Sequence, residues 1–276
     1  MAVTWTGKYP SAERLLQEID ALIECFVEAL LGHVPADEIA GIYVKGSAIK
    51  PWDSPIDYVP ELSDVDIHLL FRDAEDIARR FDLQAALGMR SEIVHAYSAR
   101  VSAPIHFPEP QLVVLNRLLA QPDYCPSPEE TLKTVFGEPL CEKRPDPERV
   151  RDLDRKSVLA LAPRVEALPL RMIDKPAAHL PAVLRDLNWQ LSPTGPRVLT
   201  MMGVPPQQAW SANRTRVCAR LEQLGEVKFA EDYARYYLAG WDYFLSGYTD
   251  SSAAEAAVEA FDGAMRRGLE IAAREV

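Results

Sequence analysis

Two short stretches in the first third of the chain carry residue types that a polar reaction needs: Gly46-Ser47, and Asp64-Val65-Asp66 followed by His68. If the second stretch is a strand, its side chains alternate, so Asp64, Asp66 and His68 share one face and Val65, Ile67 and Leu69 the other. Two carboxylates that close on one face repel each other unless positive charge sits between them. A hard divalent cation such as Mg²⁺ takes oxygen ligands of this kind and keeps water or phosphate in its other positions. Glycine lets a backbone approach a ligand closely, and exposed N–H groups beside a serine hydroxyl can donate to phosphate oxygens. A cation at one strand end and phosphate donors at the end of its neighbour would make a site for a nucleoside triphosphate. Taken singly, Gly-Ser is an ordinary strand-to-loop turn and the aspartates are ordinary solvated strand-edge acids. Their joint placement carries the reading.

The elements that must position these residues can be followed along the chain. Ser11 is an N-cap with Glu13 close behind, opening a helix over residues 12–34. Leu15, Ile19, Leu22, Ile23, Phe26 and Leu30 recur there at helical spacing, and Pro35 stops it. "AGIYVKG", residues 40–46, reads as a strand and "VDIHLLF", residues 65–71, as a second. Residues 72–101 are helical in pattern, with a break expected near Asp82 or Gly88, and "PQLVVLN", residues 110–116, predicts a buried third strand. Prolines cluster over 104–147 and 163–206, which predicts long structured connections there. "AWSANRTRVCARLEQLG" reads as one helix with Trp210, Val217, Leu221 and Leu224 on a stripe and Gly225 as its stop. An aromatic-rich helix containing Tyr233, Tyr237, Trp241 and Phe244 and an alanine-rich final helix follow. The whole reads as an α+β protein, with a sheet-bearing domain over 1–145 and an all-helical domain over 146–276.

Bulk properties narrow the partners. The net charge of −11, with no dense Lys/Arg run, opposes binding of a long nucleic acid, although a cation-neutralised small anion remains compatible with it. Cys25, Cys125, Cys141 and Cys218 form no CxxC pair and read as free thiols in a reducing compartment. No apolar signal core or membrane-length apolar run is present, so a cytoplasmic protein with no membrane partner is expected. His33, His95, His106 and His179 show no metal-ligand spacing and read as structural or exposed.

The stretch "GIYVKGSAIKPWDSPIDYVPELSDVDIHLLF", residues 41–71, resembles the signature of the polymerase-β-like nucleotidyltransferase superfamily. That signature is a strand, Gly-Ser, a variable loop, then Asp-x-Asp running into an apolar strand. The two-domain layout is similar to that of the aminoglycoside nucleotidyltransferases. The resemblance implies a palm-like mixed sheet with helices, followed by a helical bundle that holds the acceptor. It implies Mg²⁺ as cofactor and ATP as substrate, with AMP passed to a hydroxyl of a small molecule such as an aminoglycoside; the sequence leaves monomer and homodimer both open. Gly46 and Ser47 would hold the triphosphate, and Asp64 and Asp66 would bind the metal and carry the catalysis. The family also draws a third carboxylate from the next strand, where this chain offers Gln111 and Asn116, with Glu109 just before them as the candidate acid.

That departure leaves an alternative: a catalytically degenerate module of the same fold that binds nucleotide or a protein partner, as antitoxin-like relatives do. Other positions carry paired readings. The loop from Ala48 to Glu61, with Pro51, Trp52, Pro55 and Pro60, reads as a lid or part of a substrate wall. Asn213, Arg214, Arg216 and Lys228 offer a group for the triphosphate, or are a solvated helix face. Tyr233, Tyr236, Tyr237, Trp241 and Tyr243 stack on an acceptor or pack a helical core. His68 lines the pocket or is a surface or hydrogen-bonded histidine.

Overall fold

The computed structural model describes residues 4–73, 82–140 and 145–274; the stretch 74–81 of the expected second helix, and Cys141, lie outside the described residues. The chain is α+β and divides into two compact units. One comprises Trp5–Lys50 and Asp64–Arg144; the other comprises Met1–Thr4, Pro51–Ser63 and Pro145–Val276.

The first unit holds α1 (Ala12–His33), β1 (Ile39–Lys45), β2 (Asp64–Phe71), α2 (Leu83–Arg100), β3 (Glu109–Val114), α3 (Leu115–Leu119) and β4 (Leu132–Gly137). The sheet order is β3-β2-β1-β4. β1 pairs antiparallel with β2 and β4, whereas β2 and β3 run parallel, so the sheet is mixed. β4 has no counterpart among the expected strands. It is a half-exposed edge strand whose register with β1 slips between Ile42 and Tyr43, so it lacks clean alternation.

α1 forms where its cap and stripe dictate. The Ser11 side chain accepts from Arg14 N at 3.1 Å, and all six expected stripe residues are buried. Each such side chain contributes about 1.5–3 kcal/mol on burial, as an upper estimate. Glu18 lies buried on the same helix and accepts from Ile105 N at 2.8 Å and from His106 Nδ1 at 3.1 Å. The chain just before β3 is thereby tied to α1. On β2, Val65, Ile67 and Leu69 are wholly buried. Asn116, expected in the third strand, instead stands in α3, where its amide exchanges two hydrogen bonds with the Phe71 backbone at the end of β2.

The second unit contains α4 (Pro147–Leu159), α5 (Ala162–Glu166), α6 (Leu168–Ile173), α7 (Leu180–Met201), α8 (Pro206–Ser211), α9 (Arg214–Gln223), α10 (Val227–Leu245) and α11 (Ser251–Ala273). The prolines over 163–206 are therefore mostly helical, not connective. Those in the first turns of α5, α6, α7 and α8 sit where the missing N–H has no intrahelical partner anyway. Pro193 and Pro196 lie inside α7. Pro196 cannot donate to the Ser192 carbonyl, and the Tyr233 hydroxyl donates to that oxygen instead, at 3.1 Å.

The single helix expected over "AWSANRTRVCARLEQLG" is two helices, α8 and α9. Ala212 is extended, and Asn213 caps α9 by accepting from Arg216 N at 2.8 Å. Tyr233, Tyr236, Tyr237, Trp241 and Tyr243 are all buried, so the packing reading holds and the stacking reading does not. No helix among the described residues is long and apolar enough to cross a membrane. Cys25, Cys125 and Cys218 carry no disulfide among them.

Pro51–Ser63, which separates β1 from β2 in sequence, packs with the helices. Arg214, only 6% exposed, donates to Ile56 O at 3.0 Å, Asp57 O at 3.2 Å and Ser63 Oγ at 3.0 Å, and its guanidinium lies 4.0 Å from the Tyr237 ring centre. Asp57 accepts from Thr215 N and Thr215 Oγ1, at 2.9 and 2.7 Å. Trp241 donates to Pro55 O, and Asn188 to Leu62 O, at 2.8 and 2.6 Å. A Cβ at Gly240 would meet Leu62 Cδ1 at 2.4 Å, so the Leu62 side chain packs into the space this glycine leaves. Anchors on three helices hold this segment in place, which is not the bonding of the mobile lid expected from its sequence. The expected triphosphate donors are also engaged within their own unit. Arg214 is buried as described, Asn213 and Arg216 bind Asp53, and Lys228 pairs with Asp232 at 3.0 Å.

Candidate active site

The sheet of the first unit presents one polar face. Residues directly opposite in neighbouring strands share a face, so register decides who meets whom. On β2, Asp64, Asp66 and His68 stand on that face, opposite Glu109, Gln111 and Val113 of β3. Across the other edge of β2, Lys45 of β1 is the partner of Asp66 and Tyr43 the partner of His68. Gly46 follows at once, in a short 3-10 turn over Gly46–Ala48 that also carries Ser47.

Gly46 has φ +83°, and a Cβ placed on it would meet Asp66 Oδ2 at 2.6 Å. The left-handed turn and the close approach each require glycine. Gly46→Ala is accordingly expected to cost about 1–2 kcal/mol from the backbone alone and to push the Asp66 carboxylate from its place. Chemical denaturation should register the loss; unchanged stability would show that the turn has another conformation.

The Gln111 side-chain amide, with its nitrogen turned toward the acids, donates to Asp64 Oδ2 at 3.1 Å and to Asp66 Oδ1 at 2.8 Å. One donor thus bridges the two carboxylates. Glu109, the expected third acid, is the first residue of β3, in register with Asp64 but exposed. Among the described residues no group of three or more His, Cys, Asp or Glu side chains is arranged to hold a metal ion. The two aspartates are therefore joined by an amide from the strand that was expected to supply a third acid. Sequence reading named Gln111 as a polar residue of this strand but gave it no role. Its signal was the two-residue step from Glu109, which places both on one strand face.

The electrostatics follow from burial. Desolvation, partly offset by Lys45 and reinforced by Asp64, lifts the Asp66 carboxyl from its ordinary 3.8 to about 6. His68 is 3% exposed, and desolvation, then Lys45, push its imidazole down to about 3, so it is neutral near pH 7. Its burial excludes the surface position that the sequence left open.

The Asp66 shift carries a sign. The folded form holds the proton more tightly than the unfolded chain, so its stabilising contribution is complete below about pH 4. It is lost as pH rises through about 6. In metal-free buffer, denaturant midpoints should fall over that window, and Asp66→Asn should flatten the fall. An equal slope in both proteins would assign the effect to another group.

The donor set suits a hard cation. Two carboxylates face one shared donor, and burial holds one of them, Asp66, above the ordinary carboxylate range. A cation such as Mg²⁺ bound by two carboxylates still needs water or phosphate oxygens, which matches a pair without a third acid. No protein-family model matches this chain, and a search of curated proteins finds no match either.

Proposed function

We propose that the protein is a Mg²⁺-dependent nucleotidyltransferase that passes AMP from ATP to a hydroxyl of a small-molecule acceptor. The observation that carries this reading is the left-handed turn at Gly46, pressed against the Asp66 carboxylate. Backbone that close to a paired-carboxylate face suits phosphate oxygens that approach N–H groups and a shared cation together. Asp64 and Asp66 would hold the Mg²⁺, whose chemistry is to neutralise the phosphates and polarise the α-phosphorus. The Gly46-Ser47 turn would orient the phosphate chain. A bond then forms between acceptor oxygen and α-phosphorus as the bond to pyrophosphate breaks, and the hydroxyl proton leaves to water. The net charge of −11 favours a cationic acceptor, and aminoglycosides are the class to try first.

Gln111 supports a second reading: a module that binds nucleotide without transferring it, with a neutral amide where a further acid would complete the cation's ligands. Incubation with α-phosphate-labelled ATP, Mg²⁺ and an aminoglycoside panel separates the two. Label on an acceptor supports transfer. Nucleotide binding with no labelled product supports the module, and no binding at all removes both.

A further inference from the structure

Lys45 is the one cationic side chain among the described residues in direct register with the two aspartates, through Asp66. It ends β1, immediately before the Gly46 turn, and is half-buried. Its side chain makes no hydrogen bond or ion pair with any described residue, although its backbone is paired in the sheet. A half-buried ammonium beside a carboxylate that it does not bind is held by position, not by a bond, and its donors remain available.

Resting on the nucleotide-binding reading above, we propose that Lys45 is a phosphate-contacting residue that supplies the positive charge two carboxylates and one cation cannot. A triphosphate carries about four negative charges near neutral pH. With the two aspartates added, a single divalent ion leaves the site strongly anionic. A lysine on a flexible stem can lean toward Asp66 when the site is empty and toward phosphate oxygens when it is filled.

This assignment makes two affinities move in opposite directions. Lys45 repels a metal ion that binds alone and attracts a phosphate chain. A lysine that serves packing only would move neither affinity, or would weaken both. Isothermal titration with Mn²⁺ alone, and then with inorganic tripolyphosphate and α,β-methylene-ATP at saturating Mg²⁺, reads the two separately. Lys45→Met is expected to tighten Mn²⁺ about tenfold and to weaken both phosphate ligands about tenfold or more. Lys45→Arg, which keeps the charge, should stay within about threefold of wild type in both. Wild-type binding of metal and phosphates, with the Met variant unchanged or shifted the same way in both titrations, overturns the role of Lys45 and leaves the site reading intact. Wild-type protein that binds neither overturns the site reading and Lys45 with it.

Discussion

Replacing Asp64 and Asp66 together by asparagine is expected to abolish Mg²⁺-dependent nucleotide binding while leaving the fold intact. On the proposed reading these carboxylates, which β2 brings to one face, hold the cation, and asparagine keeps their size and oxygen while removing the charge. Losing the cation's anchors should cost several kcal/mol of phosphate stabilisation, on the order of 10³-fold in affinity or turnover. Stability should stay level or rise at pH 8 without metal, because Asp66 is the group held at about 6 by burial and its charged neighbour. The Gln111 amide can still donate to the asparagine oxygens. Nucleotide titration and thermal melting on the same samples check both halves. Retained Mg²⁺-dependent affinity in a folded double variant would remove the site from this face of the sheet.

The second large effect concerns stability. Arg214→Met should destabilise the helical unit by about 3–5 kcal/mol, lowering its melting temperature by about 10 °C. The guanidinium satisfies Ile56 O and Asp57 O, shares Ser63 Oγ with Val59 N and stacks on Tyr237, so removing it orphans two buried carbonyl oxygens and ends a desolvated cation–π contact. Protection of amides 52–63 from hydrogen exchange should fall most, since Arg214 grips that segment in its middle and at its end. Had Arg214 been a phosphate ligand, the same variant would weaken nucleotide binding and spare stability. Unaltered melting would contradict the anchoring role.

Much of the fold could be read locally, for local reasons. α1 declares itself through the Ser11 cap and a six-residue apolar stripe, both satisfied within the helix and its own contacts. β2 declares itself by alternation, whereas β3, expected as a buried strand over 110–116, is a half-buried edge strand over 109–114 because no further strand covers it. Two kinds of element escaped. β4 is an irregular edge strand that owes its existence to pairing with β1, far away in the chain. The proline-rich stretch over 163–206 looked connective because proline discourages helix interiors. A distant tyrosine hydroxyl takes up a carbonyl left open by Pro196, and nothing local announces that compensation.

The same division runs through the site. Sequence alone determined that Asp64 and Asp66 share a face, because strand alternation is a property of the chain itself. It also determined that Gly46 could make a turn closed to other residues. Which groups meet those aspartates was decided by tertiary structure, because strand register is a long-range choice. The parallel pairing of β3 brings Gln111, rather than Glu109, opposite Asp66, and the antiparallel pairing of β1 brings Lys45 there. The segment between β1 and β2 looked like part of the site from its position in the sequence. Its hydrogen bonds to Arg214, Thr215 and Trp241 join it to the helices instead, because buried backbone acceptors must find donors wherever the fold supplies them.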